Sequence, residues 1–270
     1  MKIESSPPDD KASNSYQEPN KNFVSNELPS GRRMRIKLTS EVPIVVYTLM
    51  GITVLVFLLQ QASLALLNGA DLPAMAGMKV NELIFGGQLW RLITPMFLHG
   101  SILHLGFNMY ALYIFGPGLE RNYGHARFLA LFLLSGFAGN VFSFLFTSSP
   151  SLGSSTAIFG LLGAEGVFLY QNRKIYGAVG QRALINILVI AGINLVIGLS
   201  PGIDNWGHVG GLIGGTLFAW YAGPVLRVEG VYPYHTLVDE RQNGDVWRAG
   251  LSVWLLFGLL AATTIILNTR

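Results

Sequence analysis

The chain of 270 residues contains no cysteine. That excludes a disulfide framework, thiolate zinc sites and a cysteine nucleophile. Charge is scarce as well: 12% of the residues are Asp, Glu, Lys or Arg, against roughly 25% in a soluble domain. With 51% apolar residues and a mean hydropathy of +0.45, the composition is that of a membrane protein. The basic residues are not gathered on an aromatic platform, so no nucleic-acid partner is expected. No short apolar core with a small-residue cleavage site opens the chain, and no cleavable signal peptide is expected.

Residues 1–40 are rich in Ser, Pro, Asn, Lys and Glu with hardly any apolar run. They are expected to form a disordered cytoplasmic tail. The tail ends in a basic cluster, Gly31 to Lys37, beside the first apolar run. This cluster either sets topology or favours anionic lipid headgroups.

A transmembrane helix needs about 20 mostly apolar residues, with a range of about 17–25. Seven segments are candidates, some only as short spans: 42–67, 102–117, 128–146, 155–170, 183–199, 208–221 and 246–267. The connection 68–101 is mixed rather than polar, containing Leu83-Ile-Phe85 and Leu89-Trp90. A long connection of this kind is expected to be folded, partly embedded and functional. With a cytoplasmic tail, fifteen Lys and Arg residues fall on the cytoplasmic side, while only Lys79, Arg91 and Arg270 fall opposite. That asymmetry follows the positive-inside rule. It places the N-terminus in the cytoplasm and the turns before Ser155 and His208 on the outer face.

The 16 residues from Ser155 to Tyr170 span about 24 Å as a helix, less than the ~30 Å hydrocarbon core. Ser155 is therefore expected below the outer surface, reached by water through a protein-lined cavity. Polar residues at membrane depth usually mark function. Ser155 opens one span and His208 opens the next but one, both from the same face, which points to a serine nucleophile and its base. Around them lie Gly207, Gly210, Gly211, Gly214 and Gly215, and Ala157, Gly160, Gly163, Ala164 and Gly166. Small residues four apart let helix backbones approach closely. They either bring Ser155 to His208 or serve ordinary membrane packing.

His104 and Asn108 are spaced i, i+4 and share one helix face near the depth of Ser155. They either donate to a developing oxyanion or bond neighbouring helices. His99, His104 and His208 could in principle ligate zinc, but the spacing is not that of a metalloprotease helix and no carboxylate flanks them. No metal and no cofactor are expected, and His125 and His235 are expected to be bystanders. Asp204 lies in the turn before His208. Glu165 lies ten residues after Ser155, about 80° around the helix. Neither is placed as a third triad member, so a Ser155–His208 dyad is expected. Phe159 could orient the imidazole by stacking, with a core role as the alternative.

Trp90-Arg91, His104-x-x-x-Asn108, Gly153-x-Ser155 and His208 with Gly211 and Gly215 together resemble the rhomboid family of intramembrane serine proteases. The resemblance covers nearly half the chain. It implies an all-α polytopic membrane protein with a six-helix rhomboid-like core and one extra C-terminal transmembrane helix. The expected organisation is a tail at 1–40, a catalytic core at 41–225 including the loop 68–101, and a cytoplasmic linker with a seventh span at 226–270. By the resemblance Ser155 is the nucleophile, His208 the general base, and His104 and Asn108 the oxyanion donors. Trp90 and Arg91 would belong to the membrane-embedded loop. Substrates would be single-span membrane proteins, cut near the outer end of the span after a small residue, where helix-weakening residues help. No cofactor is implied, and the oligomeric state is left open. Many family members carry Gly after the serine, where this chain has Thr156. A β-branched residue there is expected to crowd the oxyanion region. An inactive substrate-capture or chaperone protein of the same fold is the alternative, although the retained Ser155 and His208 argue against it. A channel or transporter would lack the repeated halves or ring of charge it needs.

Overall fold

The computed structural model describes residues 42–230 and 235–268. The expected tail, residues 1–40, and Arg270 lie outside them. Nine α-helices are described: α1 (Ile44–Leu66), α2 (Leu72–Gly77), α3 (Asn81–Phe85), α4 (Ile102–Tyr123), α5 (His125–Phe146), α6 (Ser155–Gln171), α7 (Arg173–Ile197), α8 (Asn205–Ala222) and α9 (Asn243–Asn268). Two 3-10 turns, Leu89–Leu92 and Thr94–Phe97, complete the connection between α1 and α4. Four helices, α1, α5, α7 and α9, are long and apolar enough to cross a membrane. The chain is a mostly helical, multi-pass membrane protein.

Each of the seven expected segments is a helix, but three differ from simple spans. Helix α6 has only 17 residues, α8 has 18 with a run of glycines, and α4 carries His104, Asn108, Glu120 and Arg121. Helix α4 also continues through Pro117 to Tyr123, beyond the expected end. Its last turn is tied into the protein: Tyr123 Oη donates to the Ala164 carbonyl at 3.2 Å, and the Glu120 carboxylate bonds α1. Helix α7 begins ten residues earlier than expected, because a first turn at Arg173 is joined to the main helix through Gly177 at φ 53°, ψ −138°.

The all-α expectation needs one correction. In the 226–270 region, β1 (Leu226–Glu229) and β2 (Thr236–Asp239) form an antiparallel pair, with Leu226 opposite Asp239 and Glu229 opposite Thr236. Both strands carry β-branched residues and mixed apolar and polar positions, which suit a short ribbon better than a span. The hairpin is fixed to the helices. Arg127 Nη1 meets Asp239 Oδ2 at 2.6 Å, and the Asn172 side chain donates to Pro224 O at 3.0 Å and accepts from Leu226 N at 2.7 Å.

Helices α5, α6 and α8 make the most extensive contacts and form the centre. Helix α5 is mostly buried, whereas α7 and α9 expose most of their apolar surface, as lipid-facing helices do. The α6–α8 approach is set by glycine. A Cβ on Gly211 would lie 2.8 Å from the Thr156 carbonyl carbon, and one on Gly215 would lie 2.6 Å from that of Gly160. No side chain fits between backbones at this separation.

The N-terminus of α1 has no cap of its own, since Pro43 offers no side-chain acceptor. Glu120 supplies it from α4. Its Oε1 accepts from Val45 N at 2.9 Å and its Oε2 from Val46 N at 2.8 Å, with His125 Nδ1 2.5 Å from Oε1. The carboxylate is buried, and bonds to charged groups are worth roughly 1.5–3 kcal/mol each. Glu120→Ala is expected to destabilise the fold by about 2–4 kcal/mol. The readout is the thermal midpoint in detergent; a midpoint equal to wild type would show that this cap contributes nothing.

Candidate active site

The turn before α6 is shaped by Gly153, which sits at φ +133°. A Cβ there would be 2.7 Å from Cε1 and Nε2 of His104, so only glycine lets the chain pass this close to the ring. Gly153 N donates to Pro95 O at 2.9 Å, which ties the turn to the long connection. Ser155 is then the first residue of α6. On α8, Asp204 accepts from Gly207 N at 3.0 Å and caps the helix, placing His208 in its first turn. Because the two helices approach through glycine, His208 Nε2 comes to 3.0 Å from Ser155 Oγ. The imidazole stacks on Phe159, with centroids 4.3 Å apart and planes 13° from parallel. Phe159 is thus both buried core and a clamp on the histidine.

His208 Nδ1 is buried and has no hydrogen-bond partner. The carboxylate of Asp204 is spent on its cap, with Oδ2 unpartnered, and Glu165 does not line the cavity. The geometry is that of a pair rather than a triad. A cavity of about 1180 Å³ opens onto it, lined by Ser155, His208, His104 and Asn108 together. Asn108 Nδ2 donates to His104 O at 3.0 Å, which uses one of its two N–H groups and leaves the other for the cavity. Hydroxyl, imidazole and two further donors around one hollow can support acyl transfer.

His99 has a role that the sequence did not indicate. It is buried, its ring packs edge-on against His104 with centroids 5.0 Å apart, and its Nε2 lies 3.3 Å from Ser154 Oγ. Burial, with His104 close by, pushes its pKa down to about 3, so the ring is neutral. Its backbone N–H donates to Gln60 Oε1 at 3.1 Å, and Gln60 Nε2 donates to Asp71 at 2.9 Å. A buried polar chain therefore runs from α1 to the residue before Ser155. Among the described residues, no group of three or more His, Asp or Glu is placed to hold a metal ion.

Trp90 and Arg91 lie in the long connection, away from the cavity lining. Arg91 is buried and donates to the carbonyls of Met78 and Met75, each at 2.7 Å, and to Gln88 Oε1 at 2.7 Å. Trp90 Nε1 donates to Ala76 O at 3.0 Å. These residues fold the loop.

Thr156 does not crowd the side of α6 that faces the cavity. Its side chain is buried in the seam between α5 and α8, where a Cβ on Gly139 would lie 2.6 Å from Thr156 Cβ and one on Gly207 would lie 3.0 Å from its Cγ2. The methyl and hydroxyl fill space that glycines on α5 and α8 leave open. Thr156→Gly is expected to lower stability by about 2 kcal/mol, through the void and the added backbone freedom. Thermal unfolding in detergent measures this, and a stability gain would contradict the placement.

Comparison with known proteins establishes the family. The family model for the Rhomboid domain matches residues 86–225, just over half of the chain. The chain belongs to the rhomboid family. It is similar to Rhomboid protease GluP of Bacillus subtilis (strain 168), 43% identical over 175 residues, covering 64% of this chain and 34% of that protein. It is also similar to RHOMBOID-like protein 9, chloroplastic, of Arabidopsis thaliana, 34% identical over 210 residues, covering 73% of this chain and 47% of the relative. RHOMBOID-like protein 6, mitochondrial, from the same plant is 41% identical over 149 residues, covering 55% and 48%. The chain thus spans between about a third and a half of the length of these curated relatives.

Proposed function

We propose that this protein is an intramembrane serine endopeptidase that cleaves single-span membrane proteins in or near the transmembrane segment. The observation that carries the reading is the 3.0 Å approach of His208 Nε2 to Ser155 Oγ inside a membrane protein. Family membership and the similarity to a protein named as a rhomboid protease support it.

In this reading His208 Nε2 takes the Ser155 proton as Oγ attacks the scissile carbonyl, then returns it to the leaving amine. Water hydrolyses the acyl-enzyme by the same route. His104 and the free N–H of Asn108, with a backbone N–H near Ser155, stabilise the oxyanion. Phe159 holds the imidazole plane. The catalytic unit is residues 41–225, a six-helix core of α1 and α4–α8 with the loop 68–101. Helix α9 is a seventh span, reached through the linker that begins at 226; the tail expected at 1–40 lies outside the described residues.

The cavity also suggests where a substrate enters. Helices α4 and α7 hardly touch, and the hollow extends between them, lined by Phe107, Tyr110 and Ile114 on one side and Ile190, Asn194 and Ile197 on the other. These α4 side chains are apolar and exposed, as an entry for a lipid-embedded helix requires. The N-terminus is cytoplasmic and the site opens to the outer face, supported by the distribution of Lys and Arg.

The test uses purified protein in liposomes with a single-span substrate and a fluorophosphonate probe. Wild type is expected to cleave the substrate and label at Ser155; Ser155→Ala abolishes both, and His208→Ala nearly so. Substrate binding without cleavage or labelling would instead favour a capture protein. His104→Ala and Asn108→Ala are each expected to slow cleavage by ~10–10³-fold with folding intact; unchanged turnover in both would remove them from the oxyanion role. A reporter after Arg270 should appear outside and one at Met1 inside, and finding both in one compartment would overturn the seven-span count.

A further inference from the structure

Among the described residues outside the candidate site, three charged side chains are buried: Lys79, Arg91 and Glu120. Lys79, in the connection between α2 and α3, has 0% exposure. Its Nζ donates to the carbonyls of Thr147 at 2.7 Å and Ser149 at 2.9 Å, just past the C-terminus of α5. Asn81 joins it there, with Nδ2 donating to Phe144 O at 3.2 Å and Thr147 O at 3.1 Å. The backbone of Lys79 pairs with Ser151 in both directions, at 2.9 and 3.1 Å. Ser143 Oγ and Ser151 Oγ are 3.1 Å apart.

The last carbonyls of a helix have no intrahelical donor and form the negative end of its dipole. A cation suits that position. Burial pushes the Lys79 ammonium down to about 8, while Asp204 and Glu82 favour its charged form. The two carbonyl bonds and the helix end offset the cost of burying the charge.

The segment it holds leads to the nucleophile. Thr147, Ser149, Ser151 and Leu152 line the cavity that contains Ser155. Gly153 and Ser154, by contrast, are held separately, by Pro95 and His99. Two sets of anchors therefore divide the connection: one fixes the turn at the nucleophile, the other fixes the cavity wall before it.

We propose that Lys79, with Asn81 beside it, is a positioning residue for span cleavage, fixing the wall at 147–152 against which the scissile segment is laid without acting on Ser155 itself. This rests on the protease reading of the site. The small fluorophosphonate draws on the reacting groups but not on the wall, and in that reading the substrate span docks on α4 and α7. Only alignment of the peptide depends on the wall.

The experiment measures kcat and KM for a single-span substrate in liposomes, alongside the rate of fluorophosphonate labelling, in wild type, Lys79→Met and Asn81→Ala. In Lys79→Met, kcat is expected to fall by about 10–100-fold, the scale of a small misplacement of reacting groups, with a smaller fall in Asn81→Ala. KM and the labelling rate should stay near wild type in both. Unchanged kcat in both variants overturns the proposal. So does parallel loss of labelling and cleavage in folded protein, which marks a merely structural role. If Lys79→Met yields no folded protein, the ratio of cleavage to labelling in Asn81→Ala decides: a lowered ratio supports the proposal and an unchanged one overturns it. Wild-type protein that neither labels nor cleaves would remove the protease reading, and this proposal with it.

Discussion

The approach of α6 to α8 sets the position of Ser155 and His208, the proposed nucleophile and base. Helix backbones come this near only where neither side contributes a Cβ, and Gly160, Gly211 and Gly215 meet that condition. The contact fixes both the distance and the relative height of the two helices, so their first turns lie side by side. Ser155 and His208 occupy those turns and need no flexible loop to find one another. Helix α5 closes the seam from the third side, with Gly139 facing both Thr156 and Gly207. Lipid offers no hydrophobic drive for helices to associate, so packing of this kind supplies the cohesion. The same glycines that hold the bundle together therefore set the geometry of the candidate site.

A polar site in such a bundle must satisfy its groups internally. The solution is a set of short, local tethers. Asp204 caps α8, Ser101 caps α4 at 3.1 Å from His104 N, and Glu120 caps α1 from a distance of 75 residues in sequence. Gln60 joins α1 to His99, and His99 joins Ser154. Among the described residues, several buried polar atoms have no partner, and two of them, His208 Nδ1 and Asp204 Oδ2, belong to residues that line the cavity. Unpaired buried groups cost stability, and at His208 the open cavity lets water or substrate reach the ring.

Much of this was legible in the sequence because the membrane narrows the choices. Apolar runs of limited length marked the helices, and Ser155, His208, His104 and Asn108 stood out against an apolar background; all four line one cavity. What escaped notice depends on contacts distant in sequence. In sequence Lys79 is only one of three basic residues on the outer side, because the carbonyls it bonds lie 68 and 70 residues away. His99 looked like a third histidine, and nothing local marks Ser154 as its partner. Adjacency to the proposed nucleophile suggests that Thr156 crowds the oxyanion region. Yet consecutive residues on a helix point about 100° apart, and that rotation turns it into the α5–α8 seam. The hairpin at β1 and β2 leaves no such mark, since its four-residue strands carry no long apolar run.

Contact is distributed unevenly, and the unevenness matches the division of tasks in the proposed reaction. Catalysis by positioned groups demands that they be held to fractions of an ångström, and Ser155 and His208 lie in the dense α5–α6–α8 centre. Admission of a membrane-embedded helix demands the opposite, a side that can part without disturbing that centre. Helices α4 and α7 provide it, since they scarcely meet and α7 turns its apolar surface mainly outward. Regions with few buried contacts open at low free energy, while packed cores open only near global unfolding. A protein that had to admit substrate through the α6–α8 seam would lose its dyad each time it opened. Placing entry on the sparse side removes that conflict, which is a physical reason for the reacting pair to sit on the glycine-packed helices.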